Sequence, residues 1–200
     1  MIERWALVSG LKGDLDTYEL IQKDLKKTPG NITLFVLGDM IGPEKNCNRL
    51  LHRLINPKSN DLQPWCIYGW WEEQILLESG YRGDQRAEAF RVNKGEEVVQ
   101  SLMNAVDKSF LDWIAALQFG FVELDCGLIH GSSKDVGENL RLDTSPLTLL
   151  DRLTRLQVNR LFTARSKQQF HLELIEGIVN SEVEDLNGNR KKEQKVPQKA

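Results

Sequence analysis

Cysteine is scarce in this chain. Cys47, Cys66 and Cys126 stand far apart, and none belongs to a Cys-x-x-Cys pair. That excludes a zinc ribbon and argues against a disulfide framework, so a reducing cytoplasm is the expected setting. Long apolar runs are missing too. Nothing approaches the ~20 residues of a membrane-spanning helix, and Met1-Ile2-Glu3-Arg4-Trp5 leads straight into a strand instead of a signal peptide. A strong excess of one charge is also absent. The net charge of −3 argues against a general nucleic-acid binder. No internal repeat, low-complexity segment or linker divides the chain. Its 200 residues suit a single domain with helices covering more than one side of a core.

What is present centres on Ile32 to Gly42. Ile32-Thr33-Leu34-Phe35-Val36-Leu37 is an uncharged, largely β-branched and aromatic run, and it reads as a strand buried on both faces. Gly38 permits a sharp turn and leaves Asp39 at the strand's carboxyl end, where open α/β sheets place their chemistry. Two other short apolar runs end in the same way. One runs from Trp5 to Val8 and breaks at Ser9-Gly10; the other runs from Trp65 to Tyr68 and breaks at Gly69-Trp70. Between the first two, Leu15, Tyr18, Leu20, Ile21 and Leu25 recur at helical spacing, stopped by Thr28-Pro29-Gly30-Asn31. Strand, helix and strand then predict parallel pairing, and three loops converging on one site.

Leu50 to Ile55 reads as a second helix, and Trp70 to Leu77 as a third. Ser79 to Arg91 is polar and poorly patterned and reads as a surface excursion. Glu96 to Ala105 and Ser109 to Leu117 are helical again. After Phe119 the pattern turns to hairpins: Phe119–Leu124 with Leu128–His130, then Phe170–Ile175 with Ile178–Val183. Between them Ser145-Pro146 starts a helix carrying Leu147, Leu150, Leu153 and Leu156. Leu186-Asn187-Gly188-Asn189 is a turn signal. The domain is expected over 1–189, with 190–200 either a solvated basic tail or an edge strand without a partner.

The motifs at these strand ends resemble those of the calcineurin-like metallophosphoesterases, over nearly the whole chain. Ser9-Gly10-Leu11-Lys12-Gly13-Asp14-Leu15 is similar to that family's Ser-Asp-x-His-Gly-Asn-Leu, and Leu37-Gly38-Asp39 to its Gly-Asp. Tyr68-Gly69-Trp70-Trp71-Glu72-Glu73 stands in place of Gly-Asn-His-Asp/Glu, and Ile129-His130-Gly131-Ser132 matches His-Gly-Ser. Phe162-Thr163-Ala164-Arg165-Ser166-Lys167 stands in place of Phe-Thr-Gly-His-Thr-His. The resemblance implies an α/β fold, a four-layer αββα sandwich of two mixed sheets flanked by helices. It also implies two divalent metals, such as manganese, iron or zinc, at the strand ends. Relatives usually continue into closing strands, so an exposed C-terminal sheet edge and self-association through it are expected here.

The departures from the family set the functional expectation. Gly10, Lys12, Trp70, Trp71, Arg165 and Lys167 occupy ligand or catalytic positions, which leaves Asp39 and His130 as remnant metal ligands. Glycine and tryptophan donate nothing to a metal, and protonated lysine and arginine repel it. Two ligands do not hold two metals, so no cofactor is expected. Lys12, Arg165 and Lys167 would stand in for the lost metals, at least one pairing with Asp39, or would bind a phosphate-like anion. Trp70, Trp71 and Glu72 would fill the cleft, as a plug or as anchors for a partner. His52 and His171 read as structural.

Two functions stay open at this point. One is a non-catalytic binding or regulatory homologue. The other is a phosphoesterase using one metal or none, with His130 as base beside Lys12 and with Asp39 and Glu72 in altered roles. A nucleic-acid partner rests on the basic tail alone and ranks last.

Overall fold

The computed structural model describes residues 3–82, 85–166, 168–175, 178–184 and 190–195. They divide into two compact units, Met1–Phe121 and Val122–Ala200. No helix among the described residues is long and apolar enough to cross a membrane.

The first unit is built on a parallel sheet of β1 (Glu3–Val8), β2 (Asn31–Leu37) and β3 (Pro64–Ile67), in that order. Val8 pairs with Val36, and Leu37 with Ile67, so the three strands end almost level. The expected parallel pairing holds. Burial deepens along β2 until Leu34 to Leu37 are all inside, as an apolar run in a central strand requires. Helix α1 (Leu15–Lys27) begins at Asp14, whose carboxylate accepts the Thr17 N–H at 2.9 Å. With α2 (Asn48–Ile55) it covers one face of the sheet, where Tyr18, Leu50 and Leu54 pack on Leu34 and Val36.

A second apolar cluster belongs to α3 (Trp70–Glu78), α4 (Gln85–Lys94), α5 (Glu96–Ala105) and α6 (Leu111–Ala116), the last entered through a 3-10 turn at Lys108–Phe110. Trp71, Ile75, Leu76, Val99, Leu102 and Ile114 form its centre. Here the surface excursion expected over Ser79 to Arg91 is corrected. Gln85–Lys94 is a helix, and its Phe90 is buried edge-on against both Trp70 and Trp71. One aromatic anchors an otherwise polar helix, too little periodicity for a pattern to register.

The second unit takes up the chain within β4 (Gly120–Glu123) and continues with β5 (Cys126–Ile129), α7 (Pro146–Leu156) and β6 (Arg160–Thr163). Their sheet runs β4-β5-β6, with β5 and β6 parallel and Ile129 opposite Thr163. Ser145 caps α7 as expected, accepting the Thr148 N–H at 3.2 Å. The expected helix is there. Along it Leu147 and Leu150 are 79% and 53% exposed, Leu153 and Leu156 are half-buried, and Leu149 and Arg152 are buried.

A separate antiparallel sheet holds β7 (Phe170–Ile175), β8 (Ile178–Glu184) and β9 (Arg190–Lys195), in that order. Phe170 faces Val183 and Ile175 faces Ile178, the expected hairpin. Arg190–Lys195 is neither a loose tail nor a strand without a partner, since it pairs along β8 from Val179 to Glu184. The Asn-Gly turn signal lies outside the described residues.

Candidate functional site

The level strand ends of the first unit bring three loops together. The backbone of loop 9–14 hydrogen-bonds directly to that of loop 38–41. The N–H groups of Gly10, Lys12 and Gly13 donate to the carbonyls of Gly38, Asp39 and Met40, at 3.2, 3.0 and 2.8 Å. The Ser9 hydroxyl lies 3.0 Å from both the Leu37 and the Gly38 carbonyl oxygens. Lys12 and Asp39 have φ of 46° and 52°, left-handed values that a side chain rarely adopts. The third loop fits against the second through two glycines. A Cβ on Gly38 would sit 2.4 Å from Gly69 Cα, and one on Gly69 would sit 2.3 Å from the Asp39 nitrogen.

Glu72 holds this arrangement. It lies at the third position of α3, fully buried. The N–H groups of Asp39 and Gly69 donate to Oε2 at 2.9 and 2.7 Å, and those of Met40 and Ile41 donate to Oε1 at 2.7 and 3.0 Å. The bond to Gly69 is the return half of a capping box. Burial first, and then the Asp39 carboxylate, push the Glu72 carboxyl well above the ordinary carboxylate range, while the backbone donors pull against them. Asp39 is also buried, and its Oδ1 accepts the Trp71 N–H at 3.1 Å.

The remaining residues singled out in the first unit are Lys12, Trp70 and Trp71. Lys12 approaches Glu44 at 4.0 Å with its side chain 43% exposed. An exposed pair at that distance contributes little, so Lys12→Ala is expected to change unfolding free energy by less than about 0.5 kcal/mol, read by urea denaturation. Trp71 is buried in the helical core and Trp70 packs on it edge-on at 4.7 Å.

In the second unit His130 follows β5 and is almost completely buried, and Arg165 follows β6. The two strand ends are tied by the Ala164 N–H, which donates to the His130 carbonyl at 2.8 Å. Lys167 lies outside the described residues. Sequence reasoning missed Glu138 and Arg152. The Ser132 hydroxyl bonds Glu138, whose carboxylate takes Arg152 Nε and Nη2 at 2.6 and 2.7 Å. Arg152 first, and the Ser132 hydroxyl with it, hold the Glu138 carboxyl down at about 2, against an ordinary 4.5. A lowered folded-state value stabilises above 4.5, and that contribution is lost as pH falls through about 2. Unfolding midpoints between pH 5 and pH 2 should therefore fall less in Glu138→Gln than in the parent.

Among the described residues no three or more His, Cys, Asp and Glu side chains gather where one metal ion would sit. No family model matches the sequence. No curated protein matches it either. Among solved structures, the crystal structure of a metallophosphoesterase from Sphaerobacter thermophilus superposes with a TM-score of 0.53 at 13% identity, over 80% of this chain. The chain spans 58% of that protein, less than two thirds of its length. At this identity the likeness speaks for architecture alone, and the mixed α/β expectation holds: this chain is built on the metallophosphoesterase fold.

Proposed function

We propose that this chain is a metallophosphoesterase-fold protein whose strand-end loops are held by its own side chains, and that it serves as a binding or regulatory module without hydrolytic activity. The observation that carries this reading is the occupancy of Glu72. Four backbone N–H groups fill both carboxylate oxygens, which leaves no lone pair directed at a metal. Asp39 spends one oxygen on the Trp71 N–H. Gly10 offers no side-chain donor, and Lys12 brings a positive charge into the first loop. A dinuclear centre needs several hard donors around each ion, and the donor set here does not fit one.

Lys12 at a strand end of the first unit, and Arg165 at one of the second, each support a phosphate-like anion as the ligand class. Cys47, Cys66 and Cys126 are all free thiols, which supports a reducing, cytoplasmic setting. Burial pushes Cys66 up to about 12 and Cys47 up to about 11, so neither supplies a nucleophile at neutral pH.

Elemental analysis after incubation with manganese, iron or zinc and gel filtration, with a phosphodiester assay on the same sample, tests this reading. Metal well below one ion per chain and no hydrolysis are expected. About two ions per chain, or hydrolysis that disappears in Asp39→Ala, would overturn it. Phosphate is expected to raise the melting temperature, with Lys12→Ala and Arg165→Ala each reducing the rise.

The strained backbone at Lys12 and Asp39 favours a second reading, because such strain gathers at working sites. Under it, one metal or none serves a residual phosphoesterase with His130 as base, and the same assay decides between the two.

A further inference from the structure

The loop after His130 closes on itself before it reaches α7. A Cβ on Gly131 would lie 2.4 Å from the Val136 carbonyl oxygen and 2.5 Å from that of Asp135, so the loop approaches as closely as glycine allows. The Ser132 N–H donates to the Asp135 carbonyl at 3.0 Å, and the Gly137 N–H donates to Asp135 Oδ1 at 2.6 Å. The Lys134 N–H donates to Ser132 Oγ at 3.1 Å. Ser132 is completely buried, and its hydroxyl is the link from this loop to Glu138.

Glu138 in turn is gripped at both oxygens by Arg152, which also bonds Asp151; Asp151 is shared with Arg155 at 2.7 Å. Arg152 is only 8% exposed, on the buried face of α7. An arginine buried there is destabilising unless its charge is matched. A two-point guanidinium–carboxylate pair fixes direction as well as charge.

We propose that Arg152 is a positioning residue that sets the conformation of His130-Gly131-Ser132 from α7, acting through Glu138 and the Ser132 hydroxyl. The segment is then pre-formed by protein groups, before any ligand arrives. The low pKa of Glu138 agrees, because the pair stays charged across the neutral range. This holds whether or not the chain hydrolyses anything, so metal analysis does not decide it.

The chain has only three histidines, His52, His130 and His171, which makes imidazole NMR signals of the full chain a direct readout. In Arg152→Met the His130 ring signals should move while those of His52 and His171 stay. The amides of Ser132, Lys134 and Gly137 should exchange at least about tenfold faster, with β7 and β8 unchanged. Arg152→Lys, which keeps the charge but loses the fork, should recover part of both effects. If Arg152→Met does not fold, Glu138→Gln reads the same signals with side-chain volume kept. Unmoved His130 signals with parental loop exchange in a folded variant would overturn the assignment. So would exchange accelerated equally at every amide, which would mark Arg152 as a stabilising residue and nothing more.

Discussion

Glu72→Gln is expected to destabilise the protein by about 2–6 kcal/mol. Whichever way the amide turns, its NH2 replaces one carboxylate oxygen and faces two backbone N–H groups, either Asp39 and Gly69 or Met40 and Ile41. Each buried donor left without an acceptor costs about 1–3 kcal/mol. Removing the charge also relieves its burial and its repulsion by the Asp39 carboxylate, which offsets part of this cost. Burial first, and then Asp39, raise the folded-state pKa of Glu72, so stability in the parent should fall as pH rises above the ordinary carboxylate range. Urea denaturation from pH 4.5 to pH 8 should show this slope in the parent and not in Glu72→Gln. A variant within about 1 kcal/mol of the parent would mean that the loops do not depend on this carboxylate.

Gly69→Ala is expected to be nearly as damaging, for a steric reason. The added methyl would sit 2.3 Å from the Asp39 nitrogen, 2.8 Å from Asp39 Oδ1 and 2.9 Å from Glu72 Oε2. Backbone and two fixed carboxylates surround it, so no flexible side-chain end gives way. Overpacking of this kind costs about 1–3 kcal/mol, and more where nothing can yield. Gly38→Ala meets Gly69 from the other side and adds the strain of a positive φ of 74°. Gly80→Ala is the control, with a similar φ of 76° but open space around it; its penalty is about 1 kcal/mol, from conformation alone. Thermal unfolding of the variants side by side tests the packing. Equal melting temperatures for Gly69→Ala and Gly80→Ala would show that the second and third loops are not pressed together.

Much of the fold was legible because its signals are local. The run from Ile32 to Leu37, the glycines after it and the Ser145-Pro146 cap each act through backbone geometry within a few residues. The site was legible only as composition: the sequence names Lys12, Asp39, Trp71, Glu72 and His130 but not their contacts. Glu72 read as bulk in a cleft, and its burial beneath four amides depends on two loops approaching from distant parts of the chain. The Glu138–Arg152 pair was missed for a similar reason. The leucines at 147 and 150 mark the helix but stay exposed, while Arg152 is buried on it beside Leu149. Arg152, three residues beyond Leu149, was the available signal, since a charge in step with a buried leucine calls for a buried partner.

The outermost strand carries a consequence for colloidal behaviour. β9 reads Arg190-Lys191-Lys192-Glu193-Gln194-Lys195, and the side chains of its first three residues are exposed. Arg190 and Lys192 both approach Glu182, at 3.5 and 3.8 Å. A second copy arriving edge to edge would set like charge against like charge before any backbone bond formed. Natural sheets use lysine-rich borders to discourage that pairing. The deterrent is an ionic one and so has a range, about 10 Å at 0.1 M salt and about 3 Å at 1 M. A second copy approaching this strand edge to edge is therefore expected to meet more repulsion at low ionic strength than in concentrated salt.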